Sequence, residues 1–544
     1  MYLALPERAR CGERLDRPGI SSLKHRLASA LVGSLALAIA GCTGTTSSTE
    51  STFRLVLSNE PPTLDWSLAT DSVSITVIEN LMDGLTRFDD ELRAVPAIAS
   101  SWDVSDGGRR YVFHLRPGVT WSDGRPVTAA DFEYAWKRLL DPRTAAQYAY
   151  FLYPIANAKA YNTGKLTDAS IVGVRARSDS ELEVLLEEPL VYFPSLTTFM
   201  VTFPQRRDLI ERHGDRWTDP GHLVTNGPFR LREWRHEYRL VLEANSGYYG
   251  GRPRVDRVNM YVVNERTTEL TLYQTGDLDY AQLPPEAIPT FEGTPEHRRL
   301  PILRGYYVGF NVAKPPFTDP RVRRAFALAI DREEFPKILR GGELAARSWV
   351  PPGMPGYEPD VGLGYDPQRA IALLAEAGYP EGRGLPAVEY VYNTGPVNTL
   401  IAENLQAQWK RALGIDVRLD NVEWKVYLKR LEQDAPPMFR LGWGADYPDP
   451  DNFLALFTAD SGNNHTRWAN QGYDDLVARA ASEPDPGRRL AMYREAQRIL
   501  TELDVPIVPL FTHSQNILVK PWVRGFDLNA MEILSLQNVS LGRP

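Results

Sequence analysis

Residues 442–453 read GWGADYPDPDNF, which sets three carboxylates, Asp446, Asp449 and Asp451, among Trp443, Tyr447 and Phe453. Acids and aromatics at this density suit four kinds of chemistry: a calcium loop, the paired carboxylates of a hydrolase, a solvated turn, or a pocket for a cationic ligand. A calcium loop needs oxygen ligands at regular offsets and a closing glutamate. Here prolines separate the acids, and no acid follows at the twelfth position. Asp446 and Asp449 could in principle share the acid and base roles of glycoside hydrolysis, but the rest of the chain adds nothing to an enzyme. It has no Walker phosphate loop, no HExxH and no GxSxG nucleophile elbow. Its only SxxK runs from Ser21 to Lys24, and its eight histidines are scattered without a close pair for zinc. The chain therefore reads as a non-enzyme with no metal or cofactor. A loop-capping role and a cation pocket both remain open for the acids.

The stretch follows the apolar piece MFRLGW, so it is expected at the carboxyl end of a strand. Crevices at such ends are where open α/β sheets bind ligands. Upstream, DPQRAIALLAEAGY has Asp366 as a cap, Pro367 in the first turn and Gly378 as a stop, the marks of a helix. VEYVYN then reads as a strand, TLIAENLQAQWKRALG as a helix ended by Gly414, and IDVRLDNV as another strand. This alternation predicts a sheet covered by helices. Residues 207–303 are strand-rich, with alternating stretches in GPFRLREWRHEYRLVLEANSGYYG and RVDRVNMYVVN. Nearer the start, FRLVLSNEPPTLD suggests a strand running into a loop, and DSVSITVIENLMDGL a helix closed by Gly84. RRYVFHLRPGVTWSDGRPV alternates in strand fashion around turn residues Pro117, Gly118, Asp123 and Gly124. TAADFEYAWKRLLDP should be a helix starting at a Thr128 cap and stopping at Asp141 before Pro142.

At 544 residues, 43% of them hydrophobic and 24% charged, the chain is an ordinary globular sequence long enough for two or three domains. Its amino terminus differs. Lys24, His25 and Arg26 precede the uncharged run LASALVGSLALAIA, which ends at Gly41 and Cys42. Fourteen residues are too few to span a bilayer but suit the apolar part of a secretory signal. Small residues before a cysteine, here AIAGC, resemble a bacterial lipobox, in which the cysteine is acylated and becomes the new first residue. Residues 1–41 are thus expected to be a signal peptide, and residues 42–52 a lipid-anchored tether carrying TGTTSSTEST. A buried helix with a chance cysteine explains the Ser/Thr tract less well. The only other cysteine is Cys11, so cleavage leaves no disulfide, Cys zinc site or Cys nucleophile. It also deepens the formal charge from −8 to −11, which argues against a nucleic-acid partner.

Several segments in order resemble the extracytoplasmic solute-binding proteins of peptide ABC importers, the oligopeptide- and dipeptide-binding family. They are LDWSLATDS, VPAIASSWDVSDGGRRYVFHLRPGVTWSDGRPVTAADFEYAWKRLLDP, VTNGPFRL, NVAKPPFTDPRVRRAFALAIDRE, AEAGYP and GWGADYPDP, and the likeness runs from about residue 53 onward. The resemblance implies an α/β, two-lobed fold of the type II periplasmic-binding-protein kind with three domains. Domain I would be discontinuous (53–82, 207–303 and 514–544), domain II would span 83–206 and domain III 304–513. The implied function is capture of short peptides in a closing cleft and delivery to ABC permease subunits, by a monomer held outside the cytoplasmic membrane through lipid on Cys42. A murein peptide, an opine or a metal chelate is an alternative cargo on the same fold. A further alternative is an anchored hydrolase.

By the same resemblance, Asp446 matches an aspartate that holds the peptide's terminal ammonium. Trp443 and Trp424 match aromatic positions lining side-chain pockets, and Tyr148 a tyrosine that contacts the peptide. Main-chain pairing with the ligand is expected from GWG, with Gly442 at its start, and from YYVGFNV at 306–312. Arg440 matches a family arginine and is the candidate reader of the carboxylate. Asn398 stands where a histidine helps receive that group, and Leu431 where there is an arginine. The family's disulfide would join the regions that read Arg304 and Gly444, neither of which is a cysteine.

Overall fold

The computed structural model describes residues 50–542. The expected signal peptide and the attachment residue Cys42 lie outside them, as does most of the tether. Among the described residues no helix is long and apolar enough to cross a membrane.

Three main sheets organise the chain. Thr52–Leu57 pairs in parallel with Arg257–Val262, which continues antiparallel through Arg239–Ala244 to Phe229–Arg235. The first strand is therefore completed by residues some two hundred positions away. A second sheet orders Ala99–Ser105, Arg110–Leu115, Glu181–Leu185 and Val174–Ser178, all antiparallel. In Arg110–Leu115 buried and half-buried residues alternate, as a strand with one face on the core requires. Helix Ala129–Leu140 packs Phe132, Trp136 and Leu139 inward and is opened by a Thr128/Asp131 capping box.

Helix Ser72–Leu81 is capped by the Asp71 carboxylate, which accepts from the Val73 and Ser74 amides. It ends earlier than the sequence suggests, because Met82 is already extended. Gly84 is not its stop. A Cβ there would lie 2.7 Å from the Phe203 ring and from the Thr197 carbonyl, so the glycine is required by close packing.

The third sheet orders Tyr280–Gln282, Ile507–Val519, His297–Phe310, Met438–Gly444, Val388–Asn393 and Val417–Val422, with Leu344–Ala345 added beside Ile507–Val519. Val388–Asn393 and Val417–Val422 are parallel and joined by helix Pro396–Leu413, the expected strand–helix–strand unit. Ile401, Leu405 and Trp409 face inward, and the Trp409 indole donates to the Phe326 carbonyl at 3.1 Å. Gly414 ends this helix at φ +73°, a left-handed conformation that glycine adopts without strain.

The long strands His297–Phe310 and Ile507–Val519 link several cores. Toward one end Ile517 and Val519 pack in the cluster of Phe53 and Leu55. Toward the other, Val508, Leu510 and Phe511 pack with Tyr306, Phe326 and Trp409. Their register breaks between Pro301 and Gly305.

Candidate functional site

Met438–Gly444 pairs with His297–Phe310 along its whole length, but with Val388–Asn393 only at Met438 and Phe439. From Arg440 to Gly444 its second edge has no strand partner among the described residues. An unpaired edge presents amides and carbonyls to any extended chain laid beside it. Gly442 must be small for the opposite reason. A Cβ there would come within 2.7 Å of the Gly305 carbonyl on the paired side.

The other expected pairing segment, 306–312, is not available. Tyr306 lies opposite Gly442 on one side and Phe511 on the other, and Gly309 is flanked by Phe439 and Ile507. Both edges are used within the sheet, so a ligand backbone can add to Gly442–Gly444 but not to YYVGFNV. A hydrophobic sequence pattern identifies a strand but not its neighbours.

Residues alternate across Met438–Gly444. Leu441 and Trp443 share a face with Tyr307 and line two adjoining cavities. One, of about 480 Å³, is bounded by Asp446, Tyr150, Tyr192, Trp443 and Tyr447. The other, of about 230 Å³, is bounded by Trp424, Leu428, Tyr307, Leu441 and Trp443. Trp443, Leu456 and Asn463 border both, so Trp443 acts as a partition. Trp424, the first residue of helix Trp424–Asp434, is 42% exposed, which separates it from ordinary core tryptophans.

Asp446 follows directly on this strand. Its amide donates to the Asn452 side-chain oxygen at 3.1 Å, and that oxygen also accepts from the Trp443 indole at 2.9 Å. Asn452, buried in the helix Pro450–Leu454, thus fixes the acid and the partition together. The Asp446 carboxylate accepts from the Tyr150 hydroxyl at 3.5 Å and lies beside the Asn452 side chain. No lysine, arginine or histidine pairs with it among the described residues. Burial raises its pKa to about 6, against the lowering effect of Asn452 and Tyr150. Tyr148 stands nearby, its ring edge-on to Phe199, and burial followed by the charges of Asp446 and Asp71 raises its phenol. Tyr150 and Asn452 were not singled out from sequence. The aromatic run QYAYFLY around Tyr148 and the position of Asn452 inside the opening stretch were the available signals.

The other two acids are engaged structurally. Asp449 caps helix Pro450–Leu454 through the Asp451 amide and pairs with Arg489 at 2.7 Å. Asp451 accepts hydroxyls from Tyr192 at 2.6 Å, Tyr447 at 3.1 Å and Tyr493 at 3.3 Å. The Tyr192 and Tyr447 rings stack at 5.0 Å, so this acid ties the segment around residue 192 to the opening stretch.

Arg440 lies on the opposite face of its strand from Trp443. Its guanidinium stacks 4.4 Å from the Tyr306 ring centroid and donates to the Asn393 side-chain oxygen at 3.1 Å, while its buried Nε has no partner. Asn398 reaches the same group of residues, donating to the Asn393 carbonyl and accepting from Tyr306. The structure therefore brings Arg440 and Asn398 together, and Asp446, Trp443 and Tyr148 together, as two separate groups. Leu431 is fully buried in the core. Arg304 and Gly444 lie directly opposite in register, and Arg304 forms an ion pair with Glu532 at 2.8 Å.

These features define a solute-binding architecture: several cores sharing one strand pair, and a cavity with an uncompensated acid beside an open strand edge. The profile of the bacterial extracellular solute-binding proteins, family 5, matches residues 93–465. The oligopeptide-binding protein OppA of Bacillus subtilis is 35% identical over 528 residues, covering 92% of this chain and 95% of the relative. This protein belongs to family 5 of the bacterial extracellular solute-binding proteins. Among solved structures, the unliganded open form of the periplasmic murein tripeptide-binding protein MppA superposes with a TM-score of 0.82 at 31% identity, covering 91% and 98% of the two chains. Haemophilus influenzae OppA in complex with the peptide RPPGFSPFR gives 0.70 at 30% identity, covering 91% and 99%.

Proposed function

We propose that this protein is the lipid-anchored extracytoplasmic binding component of an ABC importer, and that it captures short peptides and delivers them to the permease. The observation that carries the reading is Asp446: a half-buried carboxylate with no cation, at the end of an unpaired strand edge. A peptide amine supplies the missing charge, and the backbone behind it supplies the missing strand. Trp443 would then separate two side-chain compartments, with Trp424 and Tyr148 offering flat apolar contact that demands no single partner shape. The domain boundaries at 303/304 and 513/514 are supported by the register break in the shared strand pair, the natural place for a hinge. The names of the relatives support peptide as cargo. Mass spectrometry of ligand released from the purified protein tests the reading, and recovery of an opine or metal chelate in place of peptides would replace it.

The pKa of Asp446 sets a pH dependence. Below pH 6 the empty site takes up a proton that the bound ammonium must displace. The peptide amine, with a pKa near 8, stays charged throughout. Affinity should therefore fall about tenfold between pH 7 and pH 5. Asp446→Asn should flatten the profile, and calorimetry across this range reads both. A wild-type affinity that rises on acidification contradicts the assignment.

Arg440 is the proposed reader of the ligand carboxylate, supported by its place at the other end of the open edge from Asp446. Charge-assisted pairing would make amidated peptides bind more weakly than free acids, and Arg440→Met should remove that difference. Equal binding of acid and amide forms by the wild type takes Arg440 out of the site. The anchor is tested separately. Cys42→Ser should move the protein from the membrane pellet to the supernatant, since each buried methylene of an acyl chain contributes about 0.8 kcal/mol to attachment. Continued sedimentation of the variant would show that Cys42 is not the attachment point.

A further inference from the structure

A third cavity, of about 330 Å³, lies apart from the peptide-binding region, at the side of the third sheet where Leu344–Ala345 pairs with Ile507–Val519. Its wall includes Arg332, Arg347, Tyr357 and Tyr365. Arg332 is only 6% exposed. Its Nε donates to the Pro509 carbonyl at 2.7 Å, which fixes the side chain against the Ile507–Val519 strand. No acceptor reaches either of its terminal nitrogens, and no carboxylate lies within ion-pairing distance among the described residues. Those nitrogens are not among the sealed, unsatisfied side-chain atoms of the described residues, and Arg332 lines the cavity.

An isolated buried charge is costly unless something compensates it. Burial first, and then the like charge of Arg347, pull the Arg332 pKa down to about 10 against the smaller opposing influence of Asp331, which still leaves the group charged at neutral pH. Two acids border the cavity, but neither forms an ion pair with Arg332. The Asp331 carboxylate accepts from the Glu333 amide at 3.0 Å and is held in that turn. Glu333 is exposed. Arg347 donates to the Pro359 carbonyl at 3.3 Å and makes a long contact to Asp360 at 3.4 Å, and Asp360 is 91% exposed, so neither partner neutralises it in a buried pair. The Tyr357 and Tyr365 hydroxyls make no hydrogen bond among the described residues, and both rings are more than a third exposed. The loop that carries them is held tightly: Gly362 has φ +106°, and a Cβ there would collide with the Arg347 carbonyl.

The geometry points to a binding site for a small oxyanion, a phosphate or a carboxylate, held between the terminal nitrogens of Arg332 and the guanidinium of Arg347 with the tyrosine hydroxyls at its rim. A guanidinium offers paired donors that match the oxygen spacing of either anion. Two arginines sharing one anion also relieve their mutual repulsion. The site is separate from the peptide-binding region, so it stands whatever cargo that region takes.

Calorimetric titration of the purified protein with sodium phosphate and with sodium acetate, against sodium chloride at the same ionic strength, tests it. Saturable binding of at least one oxyanion is expected, and the two arms separate phosphate from carboxylate. Arg347→Gln, which shortens a partly exposed side chain and should leave the fold intact, is expected to weaken that binding about tenfold. Arg332→Gln should abolish it. If Arg332→Gln fails to fold, Arg347→Gln alone decides. Absence of saturable binding in the wild type, or equal affinity in the wild type and Arg347→Gln, overturns the proposal.

Discussion

Asp446→Asn should lower peptide affinity by roughly two to three and a half orders of magnitude, because removing one member of a buried ion pair typically costs about 3 to 5 kcal/mol. The amide keeps the shape and the Tyr150 contact while deleting the charge. The Asn452 anchor binds the backbone of residue 446, so the strand end and Trp443 should stay in place. Acetylating the peptide amine should damage wild-type binding to a similar degree. Variant and acetylated peptide combined should lose less than the sum of the two, as directly coupled partners do. Calorimetry at the four corners of this cycle supplies the coupling. Full additivity, or undiminished binding of acetylated peptides, would show that Asp446 serves the loop and not the ligand.

The same cycle run with Tyr150→Phe gives a second reading of the site. The hydroxyl sits 3.5 Å from the carboxylate, a long contact that an ammonium can replace without breaking a strong bond. Its removal should therefore change affinity far less than removal of the charge.

How far the sequence foretold this site depends on what each residue interacts with. Local patterns were legible: Thr128 and Asp366 do open helices, Gly414 does close one, and the Val388–Asn393, Pro396–Leu413, Val417–Val422 unit follows from periodicity and caps alone. Strand neighbours were not legible. Residues 306–310 and 442–444 look equally strand-like in sequence, yet one is flanked on both sides and the other on one, a difference set by chain segments far away. The faces of a strand were legible only in relative terms. Alternation places Arg440 opposite Trp443, but only the fold shows that Tyr306 and Asn393 await it there. Gly84 misled for a related reason: a glycine near a helix end suggests a cap, whereas its cause is a carbonyl and a ring more than a hundred residues on. Tyr150 and Asn452 went unnoticed because their roles arise from contacts with Asp446 and Trp443 that are made only on folding.

The three aspartates of the opening stretch, finally, should separate cleanly by their response to a single remote substitution. Arg489→Met is expected to destabilise the protein by about 3 to 5 kcal/mol at pH 7.5, because it leaves Asp449 as a buried carboxylate without its cation. Both side chains of that pair are close to nine-tenths buried, so solvent cannot take over the screening. The neighbouring Asp451 adds to the effect. Burial, then the charge of Asp449, already raises its pKa to about 6, and loss of Arg489 removes one of the influences that hold it down. A carboxyl whose folded pKa lies above its unfolded value is relatively most favourable when protonated, so its penalty appears as pH rises through the folded pKa. The deficit of the variant should accordingly shrink at pH 5 and grow toward pH 8. Guanidinium denaturation at the two pH values measures it, with Asp449→Asn and the double variant completing a cycle in which the double loses less than the sum. Asp446 stands outside this network, so peptide still bound by the folded variant at pH 7.5 should retain its preference for a free amine. A pH-independent loss below 1 kcal/mol would mean that Asp449 and Asp451 do not depend on Arg489, and that the division of labour among the three acids is drawn in the wrong place.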